Sequence, residues 1–318
     1  MCGQRCGVKI LIIEMSNLGD AILTYPALGA LWGKYPQAEF HLLATPRTKE
    51  LFEGEPRVHR VWVLEKGDSI WKKVGLIWKL LLKRFDLVVD FKGSLIPFFI
   101  LARRAPGSLW PPPLGMHRAL RPLALISGLG IQPANGSVPL PYGPEEEKQV
   151  SEWIQPGKLT VVVVPGSKSQ LKRWPADRFA AVADRLAQEQ GAQILLVGAG
   201  DEREQADAVK SRMRYPVTDL VGLTSIRELA ALMAKAKLVI TNDNACMHAA
   251  DAMGAPTVAI FGPTNEKKYG PRNPKSKVVR LNLVCAPCEL ALCPYGHECM
   301  KWLPAEEVFS AAKKVLLS

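Results

Sequence analysis

The chain has 318 residues, 48% of them apolar, and a net charge of +11. At roughly 100–200 residues per domain it is long enough for two cores, which excludes a disordered or fibrous protein. Its longest apolar stretches, such as Ser94–Ala102, are about half of the roughly 20 residues that a bilayer span needs, so no transmembrane helix is expected. The apolar run Ile10–Ile13 is short and closely flanked by Lys9 and Glu14, unlike a signal peptide, and a cytoplasmic location is the expectation.

In chain order, Val8–Ile13 reads as a first strand, followed by a loop over Glu14–Gly19 and a helix from about Asp20. Glu39–Leu43, Arg60–Leu64 and Asp86–Phe91 read as further strands separated by helical stretches. On the helix Ile70–Arg84, the residues Lys72, Lys73, Lys79, Lys83 and Arg84 fall within about 140° at 100° per residue. Trp71, Val74, Trp78, Leu81 and Leu82 face away from them, and Leu76 and Leu80 break the polar face. The window Lys66–Arg121 holds eleven Lys or Arg against three Asp. Such a field concentrates anions, whether nucleic acid, anionic lipid or a phosphorylated substrate. The interleaved Trp71, Trp78, Phe98 and Phe99 suit a lipid surface better than a duplex, and no helix-turn-helix, zinc-finger or RNA-binding signature accompanies the charge. On this reading the basic arc faces an anionic leaflet without insertion, and the apolar side of the helix equally fits a core-facing stripe.

Gln132–Lys158, with five prolines, three glycines and the acidic run Glu145–Glu147, reads as a linker. The alternation then restarts with strands at Leu159–Val164, Ala192–Val197, Asp219–Val221, Leu238–Thr241 and Thr257–Phe261. Helices are expected at Ala176–Gln190, Asp201–Met213, Ser225–Ala236, Asp243–Met253 and Pro304–Leu317. Strands alternating with helices predict two successive parallel α/β domains. Near the end, Cys285, Cys288, Cys293 and Cys299, with His297, form C-x2-C-x4-C-x5-C. Only the first pair has metal-ligand spacing, so either a buried-thiol loop or a metal site fits, and no tightly bound metal is expected.

Ligands of doubly wound sheets gather where strands end. Ser16-Asn17-Leu18-Gly19-Asp20 follows the first strand, and Asp20 there is either a helix N-terminal charge or a functional carboxylate. Pro165-Gly166-Ser167 precedes Lys172-Arg173-Trp174-Pro175; this is not a Walker A motif, and a solvated basic loop is the competing reading. Gly198-Ala199-Gly200-Asp201 begins like a dinucleotide fingerprint, but Arg203 stands where the final glycine belongs, so a tight turn fits better. Thr241-Asn242-Asp243-Asn244-Ala245-Cys246-Met247-His248 starts a helix whose backbone N–H groups near Asn244 and Ala245 suit an anion. Asp243 could equally be an N-cap and His248 a packed core histidine. Phosphate-sized sites with a distant carboxylate suggest a nucleotide-linked donor.

Taken together, the segments ILIIEMSNLGDAILTYPALGAL, VVVVPGSKSQLKRWPADRFAAVADRLA, LLVGAGDE and LVITNDNACMHAADAMGAPTVAIFGPT resemble glycosyltransferase family nine, the bacterial ADP-heptose:lipopolysaccharide heptosyltransferases. The Cys-rich ending CAPCELALCPYGHECMKWLPAEEV is similar to one common among them. The resemblance implies a GT-B architecture of two Rossmann-like domains facing across a cleft. It divides the chain into an acceptor domain at 1–156, a nucleotide-sugar domain at 157–302 and a final helix at 303–318 that returns to the first domain. It implies an inverting transfer of a sugar, heptose from ADP-heptose, to a lipopolysaccharide-core or related anionic glycolipid. No metal or other cofactor is implied, in keeping with a sequence that contains no Asp-x-Asp pair.

By the same resemblance Asp20 matches the catalytic base and Lys172 the lysine at the donor phosphate. Asp243 matches the signature aspartate, and Asn244 and Ala245 match the phosphate cradle; Gly166, Ser167 and His248 complete the donor set. The usual Asp-Ser/Thr-Gly-Pro/Leu-x-His pattern departs here at Asn244, Ala245 and Cys246. The lysines Lys72, Lys73, Lys79 and Lys83 would face an anionic acceptor or the inner leaflet, giving a cytoplasmic enzyme attached peripherally to the inner membrane, without nucleic acid. A nucleotide-sugar epimerase, or a non-catalytic binding protein on the same fold, is the alternative, and a panel of nucleotide-sugars separates them.

Overall fold

A computed structural model of the chain describes residues 7–103, 105, 115–131 and 138–317. Cys2, Cys6, Arg104 of the basic window, the start of the expected linker at 132–137, and Ser318 lie outside the described residues. The chain divides into two compact units, Met1–Pro141 and Tyr142–Ser318.

The first unit runs β1 (Lys9–Glu14), α1 (Leu18–Lys34), β2 (Glu39–Ala44), α2 (Pro46–Phe52) and β3 (Val58–Val63). It continues through α3 (Ile70–Lys83), β4 (Leu87–Asp90), α4 (Ile96–Ile100) and α5 (Leu120–Ser127). Its four strands are parallel in the order β3-β2-β1-β4. Residues Ile10–Ile13 and Leu87–Asp90 are buried without alternation, as strands covered on both faces must be.

Helix α3 docks differently from either arrangement that its sequence pattern offers. Leu80 is fully buried and Leu76 packs beside it against Leu11, Phe85 and Val88. The two leucines that interrupt the lysine face therefore make the core contact. The tryptophan side is not a core stripe: Trp71 is 81% and Trp78 59% exposed.

The second unit opens with α6 (Pro144–Trp153), β5 (Thr160–Val164), α7 (Ala176–Gln190), β6 (Gln193–Leu196) and α8 (Arg203–Lys210). Next come β7 (Val217–Asp219), α9 (Ile226–Lys235), β8 (Leu238–Asn242), α10 (Ala245–Ala252) and β9 (Thr257–Ile260). It closes with α11 (Glu266–Tyr269), β10 (Lys277–Val279), α12 (Glu298–Lys301) and α13 (Ala305–Leu316). The six parallel strands lie in the order β10-β9-β8-β5-β6-β7, the doubly wound order of a Rossmann sheet.

Two boundaries differ from expectation. The units part at 141/142 rather than after residue 156 because the acidic run read as linker is the first turn of α6, which packs on α9. Glu146 accepts from Arg227 Nε at 2.6 Å, and this bond holds its carboxyl at about 2. Lys235 reaches Glu147 at 2.8 Å, and Gln193 bonds both the Gln155 amide and the Trp153 carbonyl at 2.7 Å. The final helix, expected to return to the first unit, packs instead on α7 and on strands β8, β9 and β10. Val308, Phe309 and Ala312 are fully buried there. Arg185 lies 3.7 Å over the Phe309 ring, and the Leu303 carbonyl just before the helix accepts from Trp174 Nε1 at 3.0 Å.

Phe309→Ala is accordingly expected to cost about 3–5 kcal/mol, seen in chemical denaturation as an earlier transition of the second unit. An effect on the first unit's transition alone would reverse the placement of α13.

Candidate functional site

In a doubly wound sheet the loops diverge between the two central strands, leaving a crevice at their carboxyl ends. In the second unit those strands are β5 and β8, paired in register from Val161↔Leu238 to Val164↔Thr241. The pairing sets the loop from Pro165 to Lys172 beside the turn into α10. Asn242 locks them together: its amide donates to the Pro165 carbonyl at 2.7 Å, and its side-chain oxygen accepts from the Trp174 amide at 3.2 Å. Asn244, not Asp243, is the N-cap of α10. Its oxygen accepts from Met247 N at 3.1 Å, and its amide donates to the Gly166 carbonyl at 2.9 Å.

Freed from capping, Asp243 accepts from Lys172 Nζ at 2.7 Å. The carboxylate is 5% exposed and the lysine side chain 29%, so the ammonium is fixed at a crevice edge with further N–H donors to offer. The buried Ser167 hydroxyl donates to the Asp243 carbonyl at 3.4 Å. Six of the expected donor residues, Gly166, Ser167, Lys172, Asp243, Asn244 and Ala245, thus converge on one strand-end crevice. The Ala245 and Cys246 amides open α10 and are not consumed by the helix ladder. His248 lies one turn further in, buried.

Glu202 is a residue that the motif reading passed over when it treated 198–201 as a turn. Its carboxylate accepts from the Ala199 amide at 3.1 Å and, being partly buried, titrates above the usual carboxylate range. A Cβ at Gly166 would sit 2.3 Å from it; glycine there makes room for the carboxylate. An acidic residue just past a Gly-rich strand end was the available signal.

The first unit repeats the arrangement at β1 and β4, paired from Ile10↔Leu87 to Ile13↔Asp90. Asp20 sits in the first turn of α1, and its Oδ1 accepts from Arg118 Nε at 3.0 Å. Both side chains are about one-third exposed, 32% and 35%. Asp90, at the end of β4, is buried and satisfied by the amides of Lys92, Gly93 and Ser94 at 2.6–3.0 Å and by the Ser94 hydroxyl at 2.7 Å. Glu14, at the end of β1, is 2% exposed and hydrogen-bonded by Ser16. Burial pushes its carboxyl up to about 7; the Ser16 bond and Lys92 oppose this, and the charges of Asp20 and Asp90 add to it. Neither Arg118 nor Glu14 was singled out from the sequence, although an acid closing an otherwise apolar strand was a visible signal for the latter.

The lysines of α3 are a separate group. Lys72 pairs with Asp68, and Lys73 donates to the Lys66 carbonyl at 2.9 Å. Among the described residues the one set of three metal-capable side chains with ligand atoms within 4.8 Å is Glu39, His41 and His59. Trp62 Nε1 donates to His41 Nδ1 at 3.2 Å. That leaves the proton of the neutral ring on Nε2, bonded to Glu39 at 2.7 Å, and unavailable for a metal. The four cysteines do not form such a set. Cys299 is buried, its thiol pushed up to about 11 by burial and by its three neighbours, and His297 Nε2 is engaged by the Leu171 carbonyl.

The family model described as glycosyltransferase family 9 (heptosyltransferase) matches residues 131–298. A lipooligosaccharide heptosyltransferase 2 of Campylobacter jejuni is 30% identical over 97% of this chain and 98% of its own. Among solved structures, a family 9 glycosyl transferase from Veillonella parvula superimposes with a TM-score of 0.84 at 23% identity, covering 97% of both chains. The ADP-heptose lipopolysaccharide heptosyltransferase II of Escherichia coli gives 0.79 at 22%, covering 97% of this chain and 98% of its own.

Glu14 makes stability depend on pH. Its folded value of about 7 lies above the ordinary 4.5. The stability carried by the neutral carboxyl is therefore intact below about 4.5 and lost as pH rises through about 7. Melting temperatures of the wild type should fall over that window, and Glu14→Gln should flatten the fall; an unchanged slope would show that Glu14 is already ionised. For the cysteines, the C-x2-C-x4-C-x5-C spacing is irregular for a zinc site. Elemental analysis of the purified chain is expected to find no stoichiometric zinc or iron.

Proposed function

The chain belongs to glycosyltransferase family 9, its fold is of the GT-B class, and from that premise we propose an inverting, metal-independent heptosyltransferase. The donor is ADP-heptose and the acceptor a lipopolysaccharide-core or related anionic glycolipid. The enzyme works from the cytoplasmic side in peripheral contact with the inner membrane and takes no nucleic acid. The observation that carries this reading is that each unit sets a charged side chain at its own switch point. The first offers a carboxylate held on one oxygen, Asp20, and the second a fixed ammonium beside a helix N-terminus, Lys172 and α10.

In the reaction an acceptor hydroxyl forms the new bond to the anomeric carbon from the face opposite the diphosphate, whose bond to that carbon breaks. A sugar hydroxyl is a weak nucleophile, and Asp20 takes its proton as the bond forms. Arg118 holds Oδ1, which orients the carboxylate and leaves Oδ2 for the hydroxyl. The diphosphate leaves with added negative charge. Lys172 and the first amides of α10 stabilise it, supplying the positive charge that a divalent ion supplies elsewhere. Asp243 keeps Lys172 in place before the donor arrives. Glu202 is suited to accept hydrogen bonds from the nucleoside's ribose hydroxyls, the use an acid at a Rossmann strand end commonly has.

Donor choice is tested by thermal shift with a panel of nucleotide-sugars. Saturation at 100 times the dissociation constant should add about 2.7 kcal/mol of apparent stability, and ADP-heptose should give the largest shift. Asp20→Asn should leave that shift intact while transfer falls by at least about 10²-fold; normal turnover would remove Asp20 from the mechanism. Lys172→Ala should lower ADP affinity and turnover together, because the lysine meets charge that grows toward the transition state. Unchanged calorimetry and kinetics in that variant would refute the phosphate role.

A further inference from the structure

On the exposed side of α3, Ile70, Val74 and Trp78 recur every four residues, flanked by Trp71 and Leu82, over an arc of about 120°. All five are exposed, from 40% for Val74 to 81% for Trp71. Helix α4 packs beside α3 and adds Leu95, Phe98, Phe99 and Leu101, each more than half exposed. Contiguous apolar surface of this kind is rare on a monomer and marks a contact. Lys72, Lys79 and Lys83 follow along one flank of the arc. A groove between α3 and β3 joins Arg60, Lys72 and Lys79 to Trp62 and Trp71, so cations and tryptophans share one edge.

We propose that the α3–α4 face is an interfacial anchor that sinks its aromatic side chains into the headgroup layer of a bilayer carrying anionic lipids. An apolar arc with Trp and Phe at its centre and Lys at its margin is the pattern of a helix lying in the interface plane. No helix among the described residues is long and apolar enough to cross a membrane, so the contact is made from one side. A second copy of the chain fits this face poorly, because a twofold contact would press the same lysines against each other. The proposal gives the lipid-linked acceptor proposed above a surface on the acceptor's own membrane, and rests on that reading for its purpose. It differs from electrostatic adsorption by the lysine arc in that apolar insertion survives salt.

The test uses the full chain with vesicles of phosphatidylcholine alone or mixed with phosphatidylglycerol. Flotation is expected with the mixed vesicles, with a bound fraction persisting at high salt. Brominated lipid should quench tryptophan fluorescence, and Trp71→Phe combined with Trp78→Phe should remove the quenching. The combined Trp71→Ser, Trp78→Ser, Phe98→Ser and Phe99→Ser variant should lose partitioning by at least roughly tenfold, the scale expected when several buried aromatics are withdrawn. Because the four are exposed, its melting temperature and its transfer to a delipidated acceptor should hold. Complete release by salt without quenching would reduce the face to electrostatic adsorption and overturn the proposal. Self-association abolished by the serine variant, without vesicle binding, would overturn it in favour of a copy interface. Absence of transfer to any acceptor, with flotation intact, would instead defeat the enzymatic reading alone.

Discussion

The backbone pairing of β5 with β8 is the constraint on which the crevice of the second unit depends. The strands run the same way, so their carboxyl ends open side by side, and Lys172 meets Asp243 from 71 residues away. A slip of one residue would turn every side chain over, taking Asn242 off the Pro165 carbonyl and the lysine off its carboxylate. The order in the crevice is thus inherited from the register of the two strands. The aspartate nearest the helix is released for the lysine only because Asn244 takes over the cap.

The same logic gives the first unit a different electrostatic character. Its crevice holds Glu14, Asp20 and Asp90, and each carboxyl is handled separately. Asp90 is spent on three amides, Asp20 is held by Arg118, and burial raises Glu14 to about 7, so that it is only partly ionised at neutrality. Partly neutralising one acid by burial and satisfying another locally leaves Asp20 as the accessible carboxylate of the three. The contrast is between a crevice lined by three acids and one in which a lysine is paired with an aspartate, at the corresponding strand pair of two sheets that differ in strand number.

Much of this was legible in the sequence where periodicity and strand-end residues coincide. The strand positions, the donor loop and the turn into α10 all follow from short apolar runs closed by small or polar residues. What was not legible depended on partners distant in the chain. Glu145–Glu147 has a linker's composition, and only Arg227 and Lys235 turn it into a docked helix. The terminal helix carries an apolar stripe without an address, and Phe309 finds its place only among α7 and the central strands. Helix α3 misleads for the opposite reason: its largest apolar residues are its most exposed, and two modest leucines among lysines make its core contact. Arg118 stayed hidden because it belongs to no motif, and Glu14 because its role depends on burial beside Asp20 and Asp90.

The docking of α6 onto α9 has an implication for how such proteins diversify. Because the second unit begins at Tyr142 and already contains the terminal helix, everything that its sheet needs for a closed core is one uninterrupted stretch of chain. A gene crossover near codon 141 would exchange the first unit between homologues without cutting through either core. One unit could then be conserved while the other is replaced whole. Fusion at that point, rather than gradual substitution, is a direct route by which one second unit could come to be joined to several different first units.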